Sequence, residues 1–138
     1  MKRIVLGVAL VLLPLCAVAW AQGDKTNAKA AAEPVVKQLE AFRRGDFDTA
    51  LTFASGMIKA QFDRQTFETM VRGGYPEIAR STFAAVTKTE LESPGLAYVT
   101  VKIRGANGQF VEALYEMTWE DGWRINGVAT RPDAGGVI

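Results

Sequence analysis

Glu112 and Glu116 are the two side chains whose type and spacing most invite a chemical reading. A pair of carboxylates is the usual equipment for acid and base work on a glycosidic bond. Four residues apart in one strand, they stand roughly 13 Å apart at about 3.3 Å per residue. That exceeds the ~5 Å of a retaining pair and the ~6.5–9.5 Å of an inverting pair. The spacing suits cross-strand pairing on a solvated sheet face instead. Composition excludes most other mechanisms. The chain of 138 residues has no histidine and one cysteine, Cys16. A Ser-His-Asp or Cys-His nucleophile system, a Cys/His zinc site and an internal disulfide are out of reach. No metal and no cofactor is expected. Tyr75 and Tyr115 remain, and two tyrosines without a base make a binding pocket more readily than a catalyst.

Alternating strands must position these groups. Ala97, Val99, Val101 and Ile103 are apolar at odd positions, and Tyr98, Thr100, Lys102 and Arg104 lie between them. Val111, Ala113, Tyr115, Met117 and Trp119 share one face of a second strand. Trp123, Ile125, Gly127 and Ala129 share one face of a third. Ala106-Asn107-Gly108 and Glu120-Asp121-Gly122 join them. Three-residue loops, with Gly108 and Gly122 left-handed, align the apolar faces; two-residue loops would mix them with polar residues. Ile103 then faces Val111, Val99 faces Tyr115, Trp119 faces Trp123, Met117 faces Ile125, and Tyr115 faces Gly127. On the other face, Glu112 lies between Lys102 and Thr130, and Glu116 between Tyr98 and Asn126. Tyr98, Thr100, Leu114 and Val128 form a mixed patch there, suited to a homodimer.

The first half has helical spacing. Pro34 fits a first turn, Val35, Val36, Leu39 and Phe42 follow, and Gly45 ends the helix. Asp46 caps a second helix carrying Phe47, Ala50, Leu51 and Ala54, which Gly56 breaks. Met57, Ile58 and Phe62 cluster next. Asp63 caps a third helix carrying Phe67, Met70 and Val71, ended by Gly73-Gly74. Tyr75-Pro76 opens a short turn or helix through Ala79. The expected class is α+β, with N-terminal helices packed on a curved antiparallel sheet.

The N-terminus reads as an export signal. Lys2 and Arg3 precede an uncharged apolar run, Ile4 to Val18, and Ala19-Trp20-Ala21 offers a small-x-small cleavage site. A retained membrane anchor is the alternative, but the run is short for a bilayer and contains Pro14. Leu15 is bulky where a lipoprotein signal around Cys16 needs a small residue. The expected organisation is a signal peptide at 1–21, a linker at 22–32, one domain at 33–130 and a loose tail at 131–138. The protein is expected to be periplasmic or secreted. The formal net charge of +1 turns slightly negative when Lys2 and Arg3 leave. Basic residues are scattered along the chain, so no nucleic-acid partner is expected.

Several short stretches carry a resemblance: Gln38-Leu39, Ala41-Phe42, Ala54-Ser55, Gln61-Phe62, Met70-Val71, Tyr75-Pro76, Ala113-Leu114-Tyr115 and Trp123-Arg124-Ile125-Asn126-Gly127. In order and spacing, about Val35 to Val128 resembles the cone-shaped nuclear-transport-factor-2-like superfamily. More narrowly, it resembles a bacterial domain-of-unknown-function family common in exported proteins. Gly56 departs from that pattern, where proline is expected. The resemblance implies a fold and supplies no catalytic residues.

That superfamily includes enzymes such as ketosteroid isomerase, with carboxylates inside an apolar cone. Here the inward strand positions carry no acid. An isomerase- or dehydratase-like alternative needs a carboxylate from a helix: Glu40, Asp46, Asp48, Asp63 or Glu68. The leading expectation is a non-catalytic module. Its cone, lined by Tyr75, Tyr115, Met117, Trp119 and Trp123, would hold a small apolar ligand.

Overall fold

The computed structural model describes residues 23–133. The expected signal peptide at 1–21, Gln22 and the last five residues lie outside that range. A 3-10 turn at Lys29–Ala31 leads into α1 (Ala32–Arg43). Then come α2 (Phe47–Thr52), α3 (Gly56–Gln61), α4 (Arg64–Gly74) and α5 (Pro76–Ala79). Four strands follow: β1 (Ser81–Ser93), β2 (Leu96–Gly105), β3 (Phe110–Trp119) and β4 (Trp123–Pro132). They form one antiparallel sheet in sequence order. The class is α+β, helices first and sheet second.

The helix boundaries follow from caps. The Asp46 carboxylate accepts from the Thr49 amide at 3.0 Å, and Asp63 accepts from the Thr66 amide at 2.8 Å. Each satisfies an amide that has no partner inside its helix. The Thr49 hydroxyl and amide together hold Asp46 below the usual aspartate range, and the Thr66 amide and hydroxyl do the same for Asp63. Gly56 does not simply break a helix. It opens α3, because Ser55 caps that helix through its hydroxyl and the Ile58 amide.

The helices cover one sheet face. Leu39, Phe42, Phe47, Phe67 and Val71 pack with Ala97, Val99, Val101, Ile103, Ala113 and Met117 in a single buried core. Phe42 lies 5.3 Å from Phe47 and 5.9 Å from Phe67, ring centre to ring centre. Such pairs add about 0.5–1.5 kcal/mol beyond the area they bury.

The β2–β3 pairing has the expected register: Ile103 opposite Val111, Val101 opposite Ala113, Val99 opposite Tyr115, and Lys102 opposite Glu112. Gly108 has φ +79°, the left-handed turn position. In the next turn the positive angles belong to Asp121 and Gly122 together.

Three features depart from the sequence reading. First, β1 is an additional strand, paired along β2. Second, β4 is bulged. Trp119 faces Trp123 and Met117 faces Ile125, but Glu116 faces Gly127 and Tyr115 faces Val128. Asn126 is the extra residue, so everything after it changes face. Glu112 therefore lies opposite Arg131 and Ala113 opposite Thr130. Third, the stretch expected as a linker packs on the domain from Gly23 onward. Ala31 is fully buried, the Lys25 carbonyl accepts from the Gly95 amide, and the Asn27 carbonyl accepts from the Trp123 indole at 3.1 Å. At the other end, β4 continues to Pro132, and the Asp133 amide bonds the Phe110 carbonyl.

Candidate functional site: an apolar cavity between helices and sheet

A cavity of about 370 Å³ lies where α3, α4 and the start of α5 face β3 and β4. Pockets that hold small molecules start at about 300 Å³. Gln38 and Phe42 of α1 and Tyr115 of β3 are part of its lining. Phe67, Met70 and Val71 of α4 form one wall, because helical spacing puts these three on a single face. Ile125 and Val128 of β4 form the opposite wall. Ile58, Phe62, Met70, Tyr75 and Val128 are half-buried members of the lining.

The polar groups in this lining are few. The Gln38 amide nitrogen donates to the Ala50 carbonyl at 3.1 Å, and the Tyr75 hydroxyl donates to the Val128 carbonyl at 3.3 Å. Tyr115 differs from both. It is 1% exposed, and its hydroxyl has no hydrogen-bond partner among the described residues. Burial raises its pKa above the usual tyrosine value of 10.0, so the hydroxyl remains a neutral donor. Among the described residues no Asp or Glu lines the cavity.

Of the five pocket residues expected from sequence, Tyr75 and Tyr115 are brought together here. Met117 is fully buried in the core and does not line the cavity. Trp119 and Trp123 lie elsewhere. Their rings meet edge to face, 5.4 Å apart, beside the N-terminal segment. The strap from Gly23 to Ala31 packs at that end of the sheet, and the two tryptophans line a separate groove there with Ala30 and Phe53. Phe42, Ile58, Phe67 and Met70 of the helices, with Phe62 just beyond α3, supply much of the remaining lining. Their apolar spacing was visible in the sequence, but helical spacing cannot tell a filled core from a cavity wall.

The expected interface patch divides. Tyr98, Thr100 and Leu114 occupy the sheet face away from the helices, and Leu114 is 45% exposed. Val128 does not join them, because the Asn126 bulge turns it into the cavity wall.

The carboxylates of the outer face are held by neighbours. Glu112 pairs with Arg131, and Glu116 accepts from the Asn126 side-chain amide at 2.8 Å. Asp48 pairs with Arg64, and Glu68 pairs with Arg64 and Arg72. Among the described residues no cluster of three or more His, Cys, Asp or Glu could hold a metal. Arg43, Arg44, Arg72 and Arg80 converge on one surface groove, a grouping that their sequence positions do not show. Two of them serve the fold: Arg43 donates to Ser81, and Arg72 pairs with Glu68 and lies over the Phe47 ring.

A polar chain fixes the cavity rim. The Ser55 hydroxyl accepts from the Ile58 amide and donates to Asn126 Oδ1 at 2.8 Å. Asn126 in turn donates to Glu116. The Ser55 amide bonds the Ile125 carbonyl, and the Ile125 amide bonds the Phe53 carbonyl, both at 2.8 Å. The start of α3 is thereby attached to the bulged part of β4.

Among the described residues no helix is long and apolar enough to cross a membrane. No curated protein and no solved structure matches the chain. One family does match, over residues 24–136, and that span takes in the N-terminal strap as well as every helix and strand described above. The chain belongs to DUF4864, a family defined by a domain of unknown function.

Proposed function

We propose that this protein is a non-catalytic binding module that takes a small apolar molecule into the cavity between α4 and β4. The cavity carries the proposal: about 370 Å³, lined mainly by aliphatic and aromatic side chains. The lining offers hydroxyl and amide groups and no carboxylate, which favours holding a molecule over moving its protons. Helices followed by an antiparallel sheet also support a place in the nuclear-transport-factor-2-like superfamily. Lys2 and Arg3 followed by the apolar run of Ile4 to Val18 support a periplasmic or secreted site of action.

Titration with the neutral fluorophore phenylnaphthylamine tests the binding. The expected result is a saturable rise in emission, with one molecule per chain. Val128→Trp, which fills the cavity from β4, should abolish the rise while leaving the circular dichroism unchanged. Absence of any rise with the unsubstituted protein would mean that the space is ordinary core.

A second reading rests on Leu114. It is exposed in the middle of a sheet face that no helix among the described residues covers, flanked by Thr100 and Ala129. A second copy of the chain on that face would cover it.

A further inference from the structure

We infer that the groove gathering Arg43, Arg44, Arg72 and Arg80 is a binding site for a small phosphorylated solute, a phosphomonoester or a diphosphate. It is separate from the apolar cavity and does not rest on what that cavity holds.

Three observations carry the inference. First, the fold collects charge that the sequence scatters. Arg43 ends α1 and Arg44 follows it, Arg72 lies in the last turn of α4, and Arg80 follows α5. All four line one groove of about 530 Å³ with Ser81 and Thr82 of β1, and no Asp or Glu among the described residues lines it. An arginine at a helix end is ordinary, because it offsets about half a negative charge there. Three such ends amount to about one and a half charges, fewer than the guanidinium groups present.

Second, two of the guanidinium groups are held by one nitrogen only. Arg43 Nε donates to the Ser81 hydroxyl at 2.9 Å and to the Ser81 carbonyl at 3.2 Å. Arg72 Nε donates to Glu68 at 3.0 Å, and its guanidinium carbon lies 4.8 Å over the Phe47 ring. Among the described residues the terminal nitrogens of both have no hydrogen-bond partner. A guanidinium is a rigid fork, so fixing Nε orders the outer donors before any anion arrives.

Third, Arg80 has no compensating group. Its side chain makes no hydrogen bond and no ion pair among the described residues. Its backbone is fixed at both ends, by the Pro76 carbonyl and the Ala106 amide.

A phosphate group suits this arrangement better than a carboxylate. One arginine fork satisfies both oxygens of a carboxylate, whereas a phosphate brings three terminal oxygens and a charge of about −1.5 to −2. A long polyanion fits less well. Asp46 follows Gly45 of the lining and Glu68 pairs with Arg72, so acid borders the groove and repels a polymer running past it.

Calorimetric titration with inorganic pyrophosphate at physiological ionic strength tests the site. One molecule per chain should bind, and Arg80→Gln should weaken it about 10-fold or more. Arg131→Gln removes the same charge outside the groove and should leave the affinity nearly unchanged, because salt screens distant charges. An equal loss in both variants would reduce the effect to net charge and overturn the site, as would no binding to the unsubstituted protein. Phenylglyoxal modification gives a check that needs no variant. Pyrophosphate should protect Arg80 and leave Arg131 reactive; equal reaction at Arg80 with and without it overturns the site. Sedimentation with phosphatidylglycerol vesicles separates the sources of phosphate. Vesicle binding that Arg80→Gln abolishes, without pyrophosphate binding, would overturn the small solute in favour of a lipid surface. Val128→Trp should bind pyrophosphate normally, and loss of binding there would overturn the placement in the groove.

Discussion

The Ser55 hydroxyl donates to Asn126 Oδ1 across 2.8 Å, joining the first residue before α3 to the one residue of β4 that has no partner on β3. Ser55 is 1% exposed, so this bond forms away from solvent. It gives the bulge a second function. The residue that shifts the register also anchors the helix at the cavity rim.

Ser55→Ala should therefore cost more than an ordinary cap. It removes the acceptor for the Ile58 amide and the donor to Asn126 together. The expected loss is about 1–3 kcal/mol in urea unfolding. Asn126→Ala should cost less alone, and the double variant should lose less than the sum of the two.

Tyr115→Phe should raise stability when no ligand is added, by about 1 kcal/mol, because it deletes a buried hydroxyl that no protein group satisfies. The pH dependence has a definite sign. Above the usual tyrosine value of 10.0 an unfolded Tyr115 loses its proton, while the folded protein keeps it. The unfolded state then binds fewer protons, so stability falls as pH rises past that value. Thermal melts between pH 9 and pH 11 should show a shallower decline in Tyr115→Phe.

Acid should act through the caps. Hydrogen bonds from Thr49 hold Asp46 below 3.8, and those from Thr66 do the same for Asp63. Their contribution is complete above that value and is lost as pH falls through the lower folded values. Asparagine also caps a helix but does not titrate in this range. The variant carrying Asp46→Asn and Asp63→Asn should melt with a weaker pH dependence below pH 4.

Light scattering on the protein and on Leu114→Glu tests the outer face. A dimer that becomes a monomer on substitution is the expected result. A monomer in both cases removes that face as a self-association surface.

A chain beginning at Glu33 should melt at least about 5 °C below one beginning at Gly23. It lacks Ala31, which is fully buried, and the Asn27 carbonyl that receives the Trp123 indole. Its tryptophan emission should move to the red as Trp119 and Trp123 meet water. Equal melting temperatures would show that the N-terminal strap contributes nothing.

The β2–β3 pairing was legible from residue types alone, because strict alternation and an Asn-Gly turn leave one consistent register. Strand β1 was not. Register shifts near Phe83, Lys88 and Ser93 break its alternation, and its Ser, Thr, Lys and Glu residues are mostly exposed. The bulge was hidden for a different reason. Gly127 and Ala129 continue the small-residue pattern of Ile125, and only the bond from Ser55, 71 positions away in sequence, marks Asn126 as the extra residue. Tyr75 and Tyr115, named together from residue type, both line the cavity. Trp119 and Trp123 lie beside the N-terminal strap, and an Ala-rich segment without hydrophobic periodicity gives no sign that it will pack there.

Because of Asn126, β4 is two half-strands of opposite parity joined at one residue. Trp123 and Ile125 follow one rule for which side chains point inward, and Val128 and Thr130 follow the other. The first half seats the N-terminal strap through Trp123 and the start of α3 through Ile125, and the change of parity is what lets Ile125 and Val128, three residues apart in one strand, both line the cavity. Without the extra residue, Val128 would return to the outer face and the cavity would lose that part of its lining.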